Sequence, residues 1–239
     1  MMTHMFSRLA QLLAKKQRQV YWLPIVLLMV AFGCKILSPA HYARWIQEDG
    51  VLESIQLLCF LLTTYMSIRV SLHLLSMTRY MAGLLWGLFA LACLFISMEE
   101  ISWGQRFFEI QPAVDKTVNL QGETNLHNHK HLQIWFLFGY LLIGLVGSVG
   151  IKVFRQLHWL LPSPTLLWYF LPVFLFYLHL LIGAGIASDY GIQWLVPARS
   201  LLHPQLLLYK DQEVIEVLLG LGFFMHACFV YADLKWRAS

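Results

Sequence analysis

The densest chemistry in the chain lies in eight residues, Glu99-Glu100-Ile101-Ser102-Trp103-Gly104-Gln105-Arg106. Two adjacent carboxylates, a hydroxyl, an indole, an amide and a guanidinium stand where an apolar run ends. If the helix of that run continues, Glu99, Ser102 and Arg106 share one face at i, i+3 and i+7. Neighbouring carboxylates at a low-dielectric boundary cannot both ionise cheaply. That is one way to keep a general acid or base available near neutral pH. Glu99, Glu100 and Ser102 are therefore candidate catalytic groups. Trp103, Gln105 and Arg106 are candidate substrate contacts, the guanidinium suiting a phosphate or carboxylate. The structural alternative is an arginine-neutralised network that closes the helix end.

A second polar strip runs from Asn119 to His131. In an extended segment Asn119, Gln121, Glu123, Asn125, His127, His129 and His131 project to one side. Gln121, Glu123, Asn125 and Asn128 are candidate ligand-reading groups, and His127 joins the candidate catalytic set. Alternate imidazoles can meet one ion. A divalent metal is thus a candidate cofactor, with His127 its best ligand. Against this, Lys130 would repel a cation, and His-rich loops are often only solvated.

Ionisable groups also sit within or at the edge of apolar runs: Glu53, His179, Asp189, Glu213 and Glu216. Glutamate is short and snorkels poorly. Such groups should face a bundle interior or a wet cavity and find partners there. These five are expected to join the substrate site; the alternative is that each pairs locally. His226 reads as a hydrogen-bonded core histidine.

The elements that must position these groups are membrane helices. Of the 239 residues, 59% are hydrophobic and only 13% charged, against roughly 45–50% and about 25% in a soluble domain. This excludes a disordered chain, a disulfide scaffold and an ordinary cytosolic enzyme. A crossing helix needs about 20 mainly apolar residues. Six runs qualify: 20–37, 51–68, 80–98, 134–151, 166–187 and 214–232. They are continuous rather than alternating, which excludes a barrel. The expected fold is an all-α, polytopic bundle of six transmembrane helices. A structured outer cap would be built from residues 99–133 and 188–213. An amphipathic segment (1–19) precedes the bundle and a short tail (233–239) follows it. In the first segment Met5, Phe6, Leu9, Leu12 and Leu13 fall at helical spacing before Lys15, Lys16 and Arg18, as in a helix lying in the membrane plane. Gly144 with Ser148, and Gly183 with Ala187, suit close helix approach.

Basic residues flank the even-numbered connections and both ends (Arg8, Lys15, Lys16, Arg18, Arg69, Arg79, Lys152, Arg155, Lys235 and Arg237). The positive-inside rule then puts both termini in the cytoplasm. All the acids except Asp233 fall toward the other face. The four cysteines (Cys34, Cys59, Cys93, Cys228) lie inside spans and have no metal-ligand spacing. Walker, His-Glu-x-x-His and Gly-x-Ser-x-Gly motifs are absent. No basic and aromatic module points to nucleic acid.

Glu-Glu-Ile-Ser-Trp-Gly-Gln-Arg at 99–106, followed by Asn-Leu-Gln-Gly-Glu-Thr-Asn-Leu-His-Asn at 119–128, resembles a signature of a family of uncharacterised bacterial multi-pass membrane proteins. The resemblance covers about thirty residues. It implies that Glu99 through Asn128 act as one unit in a bacterial inner membrane, and it carries no activity. His129 and His131 fall outside it. The expected function is a site at the outer leaflet acting on a lipid or lipid-linked substrate, with membrane lipids as partners. A transporter or channel is the alternative, and a non-catalytic assembly partner the second.

Overall fold

The computed structural model describes residues 2–47, 50–105, 126, 132–157, 159–183 and 209–238. Among these the chain is helical, with α1 (Met2–Lys15), α2 (Gln17–Leu37), α3 (Pro39–Trp45), α4 (Val51–Ser76), α5 (Tyr80–Glu100), α6 (Gln133–Val153), α7 (Leu167–Gly183) and α8 (Gln212–Ala238). Six of these, α2 and α4 to α8, form helical segments long and apolar enough to cross a membrane, α7 counting with the 3-10 turn Pro164–Leu166 ahead of it. The architecture is the expected multi-pass all-α bundle. Most of the cap lies outside the described residues.

One boundary differs clearly. The second apolar run ends at Ile68, before Arg69, yet α4 continues to Ser76. Nothing in that stretch breaks a helix. Arg69 is accommodated by donating to the Tyr231 hydroxyl at 3.1 Å, and Ser71 donates to the Gly83 carbonyl of α5 at 2.7 Å. The helix stops where Thr78 turns into the left-handed region, at φ 60°.

The core is organised around α8. Some 78% of its spanning window is buried, against 17–44% for the other five. It packs on α4, α7 and α1, while α4 pairs with α5 and α6 with α7. Phe60, Met66, Trp86, Phe170, Phe176 and Leu219 fill the interior. Lipid tails are as apolar as these side chains, so helix association depends on close fit rather than on burial from water. Gly144 supplies that fit between α6 and α7: a Cβ there would sit 2.5 Å from the Phe174 backbone nitrogen. The other expected pair, Gly183 with Ala187, extends beyond the described residues.

Several hydroxyl groups in the spans are satisfied within their own helix, although the buried Ser67 hydroxyl of α4 has no hydrogen-bond partner. Thr63, Thr64, Ser97 and Ser148 each donate to the carbonyl four residues back, a self-contained solution in an apolar medium. Pro24 interrupts α2 and has no N–H for the carbonyl of Val20. The Tyr169 hydroxyl of α7 donates to that carbonyl at 3.0 Å. A local defect in one helix thus becomes a tie between two.

One end of the bundle gathers α1, the α4–α5 turn, residues 159–163 and the last turns of α8; it is termed the terminal end, and the opposite one the distal end. The apolar face of α1 packs on the bundle core, with Ala10 fully buried and Phe6, Leu9 and Leu13 against it. Met5 and Leu12 remain exposed. His226 is buried and its Nε2 meets the Leu160 carbonyl at 2.8 Å, in keeping with a core histidine.

The Tyr169 tie yields a test. Tyr169→Phe removes one oxygen and leaves the Val20 carbonyl without its donor, so it should destabilise the bundle by about 1–3 kcal/mol. Thermal unfolding in detergent measures this; an unchanged midpoint would show that the carbonyl is satisfied without the tyrosine.

Candidate functional site

The last turn of α5 ends on Glu99 and Glu100. A helix C-terminus is the negative end of the macrodipole, so carboxylates are disfavoured there. The expected continuation of this helix, with Glu99, Ser102 and Arg106 on one face, does not occur. Ser102 (φ 47°), Trp103 (φ 56°) and Gly104 (φ 82°) instead form a left-handed turn. For the two non-glycine residues this conformation is strained. The turn folds the Trp103 indole back onto Glu99, whose Oε1 accepts its N–H at 2.5 Å. The other Glu99 oxygen accepts the backbone N–H of Leu126, also at 2.5 Å. Glu99 is only 4% exposed. The carboxylate therefore pins the cap segment at Leu126 to the end of α5.

Glu100 faces a different group. Gln56 of α4, fully buried, donates through Nε2 to Glu100 Oε1 at 2.9 Å and to Glu216 Oε2 of α8 at 3.0 Å. One amide nitrogen thus holds carboxylates from two other helices. The second oxygen of Glu216 accepts the Tyr177 hydroxyl of α7 at 2.7 Å. Tyr140 of α6 stacks on Tyr177, with ring centroids 4.5 Å apart and planes 5° apart, and lies close to Glu216, Glu100 and Glu213. The stack depends on the close approach at Gly144, one turn along α6 from Tyr140. Among the described residues Glu216 meets only neutral donors. The Gln56 Oε1 atom is buried with no hydrogen-bond partner.

A separate polar cluster of three residues lies nearby at the distal end. Asp211, fully buried, accepts from Lys35 Nζ at 2.5 Å and from the Tyr42 hydroxyl at 2.7 Å. Burial, and then the hydrogen bond to Asp211, push the Tyr42 phenol well above its usual range. This cluster ties α2 and α3 to the start of α8.

Of the expected site residues, Glu99, Glu100 and Glu216 are buried or half-buried at the distal end, with Glu213 beside them. Ser102 is fully buried, Trp103 reaches Glu99, and Gln105 and Glu53 are half-buried with partners of their own. His179 is half-buried, its Nε2 lacking a hydrogen-bond partner. Arg106, Gln121, Glu123, Asn125, His127, Asn128 and Asp189 lie outside the described residues. The metal expectation at His127 falls there too, and among the described residues no three His, Cys, Asp or Glu side chains gather as metal ligands. Sequence reasoning missed Gln56, Tyr140, Tyr177, Lys35 and Tyr42. Gln56 carries a usable signal: it is an amide one turn after Glu53 in an apolar helix, and such a group must find partners.

No family model, curated protein or solved structure matches this chain.

The two hydrogen bonds of Glu99 make its role measurable. Glu99→Gln and Trp103→Phe should be non-additive in thermal stability, with a coupling of about 0.5–3 kcal/mol as expected for groups in direct contact. Additive effects would mean that the indole and the carboxylate do not hold each other.

Proposed function

We propose that this protein is a membrane-embedded enzyme whose reacting groups are the distal carboxylates, and that it acts on a lipid or lipid-linked substrate at that leaflet. The observation that carries the reading is the Gln56 amide bridging Glu100 and Glu216 from three helices. Two carboxylates gathered on one buried amide cannot both ionise cheaply, and such a pair can divide the roles of acid and base. Tyr177 orients Glu216 by hydrogen bond and Tyr140 backs it by stacking. Glu99 plays a positioning part through Trp103 and Leu126. The cluster lies near the ends of α4, α5, α7 and α8, the depth at which a lipid headgroup meets a spanning helix.

Two further features support chemistry over simple structure. Glutamates on the wrong end of a helix dipole and consecutive left-handed non-glycine residues both oppose local preference. Such conflicts concentrate at functional sites. Below the cluster, Phe60, Met66 and Phe170 are buried together with the uncharged Thr63, Thr64 and Ser67 of α4. Thr63 and Thr64 are spent on carbonyls of their own helix, which leaves a transporter no charged path among the described residues. On the charge pattern, the cluster would face the periplasm of a bacterial inner membrane, with both termini cytoplasmic. Arg106 would then hold a phosphate or carboxylate, and Asn125 and His127 would orient the substrate.

The test uses purified full-length protein in vesicles of total bacterial lipid extract, with lipid products followed by mass spectrometry. Glu100→Gln and Glu216→Gln should each lower turnover by about 10²-fold or more while the protein stays folded and monodisperse. Full turnover in both variants, or no product from the unaltered protein, would overturn the proposal.

A further inference from the structure

The terminal end carries a second, unrelated constellation. A cavity of about 400 Å³ opens between α5 and α6, with Trp86, Phe89, Val146, Phe170 and Phe223 in its wall. Its lining is almost wholly apolar. The two helices that flank it are otherwise lipid-facing, with Leu88, Leu91, Leu142 and Leu145 exposed. The cavity is therefore reachable by a lipid tail moving in the plane of the membrane.

Toward the terminal end a cavity of about 580 Å³ adjoins it, and the two meet at Leu161 and His226. Here the lining changes character. Lys15 of α1, Arg79 before α5, Ser163 and Asp233 supply polar groups, and Trp159 and Trp236 supply indoles. Lys15 and Arg79 make no ion pair with a described residue, whereas Asp233 has partners of its own. The Ser163 hydroxyl oxygen is buried with no hydrogen-bond partner. Two cations on the rim, a spare hydroxyl within and tryptophans at the headgroup level describe a receptor for a phosphate diester attached to acyl chains.

We infer that the terminal end binds one anionic glycerophospholipid. Its phosphate sits between Lys15 and Arg79, within reach of Ser163, and one acyl chain enters the cavity between α5 and α6. The charge and the tail pocket are adjacent but come from α1, α5, α6 and the segment 159–163. The bound lipid thereby ties the amphipathic α1 to the bundle it covers. The site is independent of the distal carboxylates and of the reaction proposed for them.

The test measures lipid binding to the purified full chain in detergent, by native mass spectrometry and by lipid-induced shifts in thermal unfolding. Phosphatidylglycerol should bind at least tenfold more tightly than phosphatidylcholine. Lys15→Glu combined with Arg79→Glu should abolish that preference; if this variant fails to fold, Lys15→Gln with Arg79→Gln should weaken it. Ala92→Phe with Val146→Phe fills the tail pocket, leaves the cations in place and should displace the bound lipid. Glycerol 3-phosphate, which has the headgroup and no tail, should neither bind nor compete. The inference fails if the preference survives loss of both cations, or if filling the pocket leaves phosphatidylglycerol bound. Binding of glycerol 3-phosphate as tight as that of the lipid would also overturn it, assigning the site to free phosphate.

Discussion

A buried amide that must find partners is the constraint from which the distal end is built. Gln56 lies within a span with no exposure at all. An unsatisfied polar group there costs about 1–3 kcal/mol, and no water in a bilayer core relieves it. Its Nε2 reaches Glu100 and Glu216 only if α4, α5 and α8 hold one register. Apolar packing alone fixes register weakly, because leucine against leucine and leucine against a lipid tail are nearly equivalent. The amide bridge supplies the discrimination that the apolar faces lack. Tyr177 extends it to α7, and the stack on Tyr140 brings in α6.

That network accounts for the local conflicts tolerated at the end of α5. Glu99 and Glu100 oppose the helix dipole, and Ser102 and Trp103 oppose their backbone preference. Each conflict is met by donors: the indole and the Leu126 amide for Glu99, the Gln56 amide for Glu100. Glu99 and Trp103 stand i, i+4, a spacing at which side chains also meet in a helix; here the contact is made from within the left-handed turn.

The spans are legible in the sequence because an unbroken apolar run long enough to cross a bilayer seldom arises in a soluble fold. Glu99, Glu100 and Glu216 are legible as site candidates because an acid in an apolar setting is conspicuous. Their partners are not. Tyr140 and Tyr177 look like ordinary aromatic content, and nothing local distinguishes a tyrosine facing a carboxylate from one facing lipid. The contacts that matter join Gln56 to Glu216 and Lys35 to Asp211, residues more than 150 positions apart, and periodicity carries no such information. The true end of α4 is hidden for a related reason: Arg69 reads as a boundary until Tyr231 is seen to receive it.

The two ends of the bundle are kept apart by its middle, and α8 makes this separation. It carries Glu213 and Glu216 at one end and Asp233 and Lys235 at the other. Between them its buried face is Leu218, Leu219, Phe224 and Met225, packed on Phe60 and Phe170 across the glycines Gly220 and Gly222. A charge does not cross such a layer without losing most of its solvation. The polar groups buried between the two ends include the uncharged Thr63, Thr64 and Ser67 of α4, and His226 is engaged by the Leu160 carbonyl toward the terminal end. The Glu213 and Glu216 end of α8 is therefore separated from the Asp233 and Lys235 end by an uncharged layer.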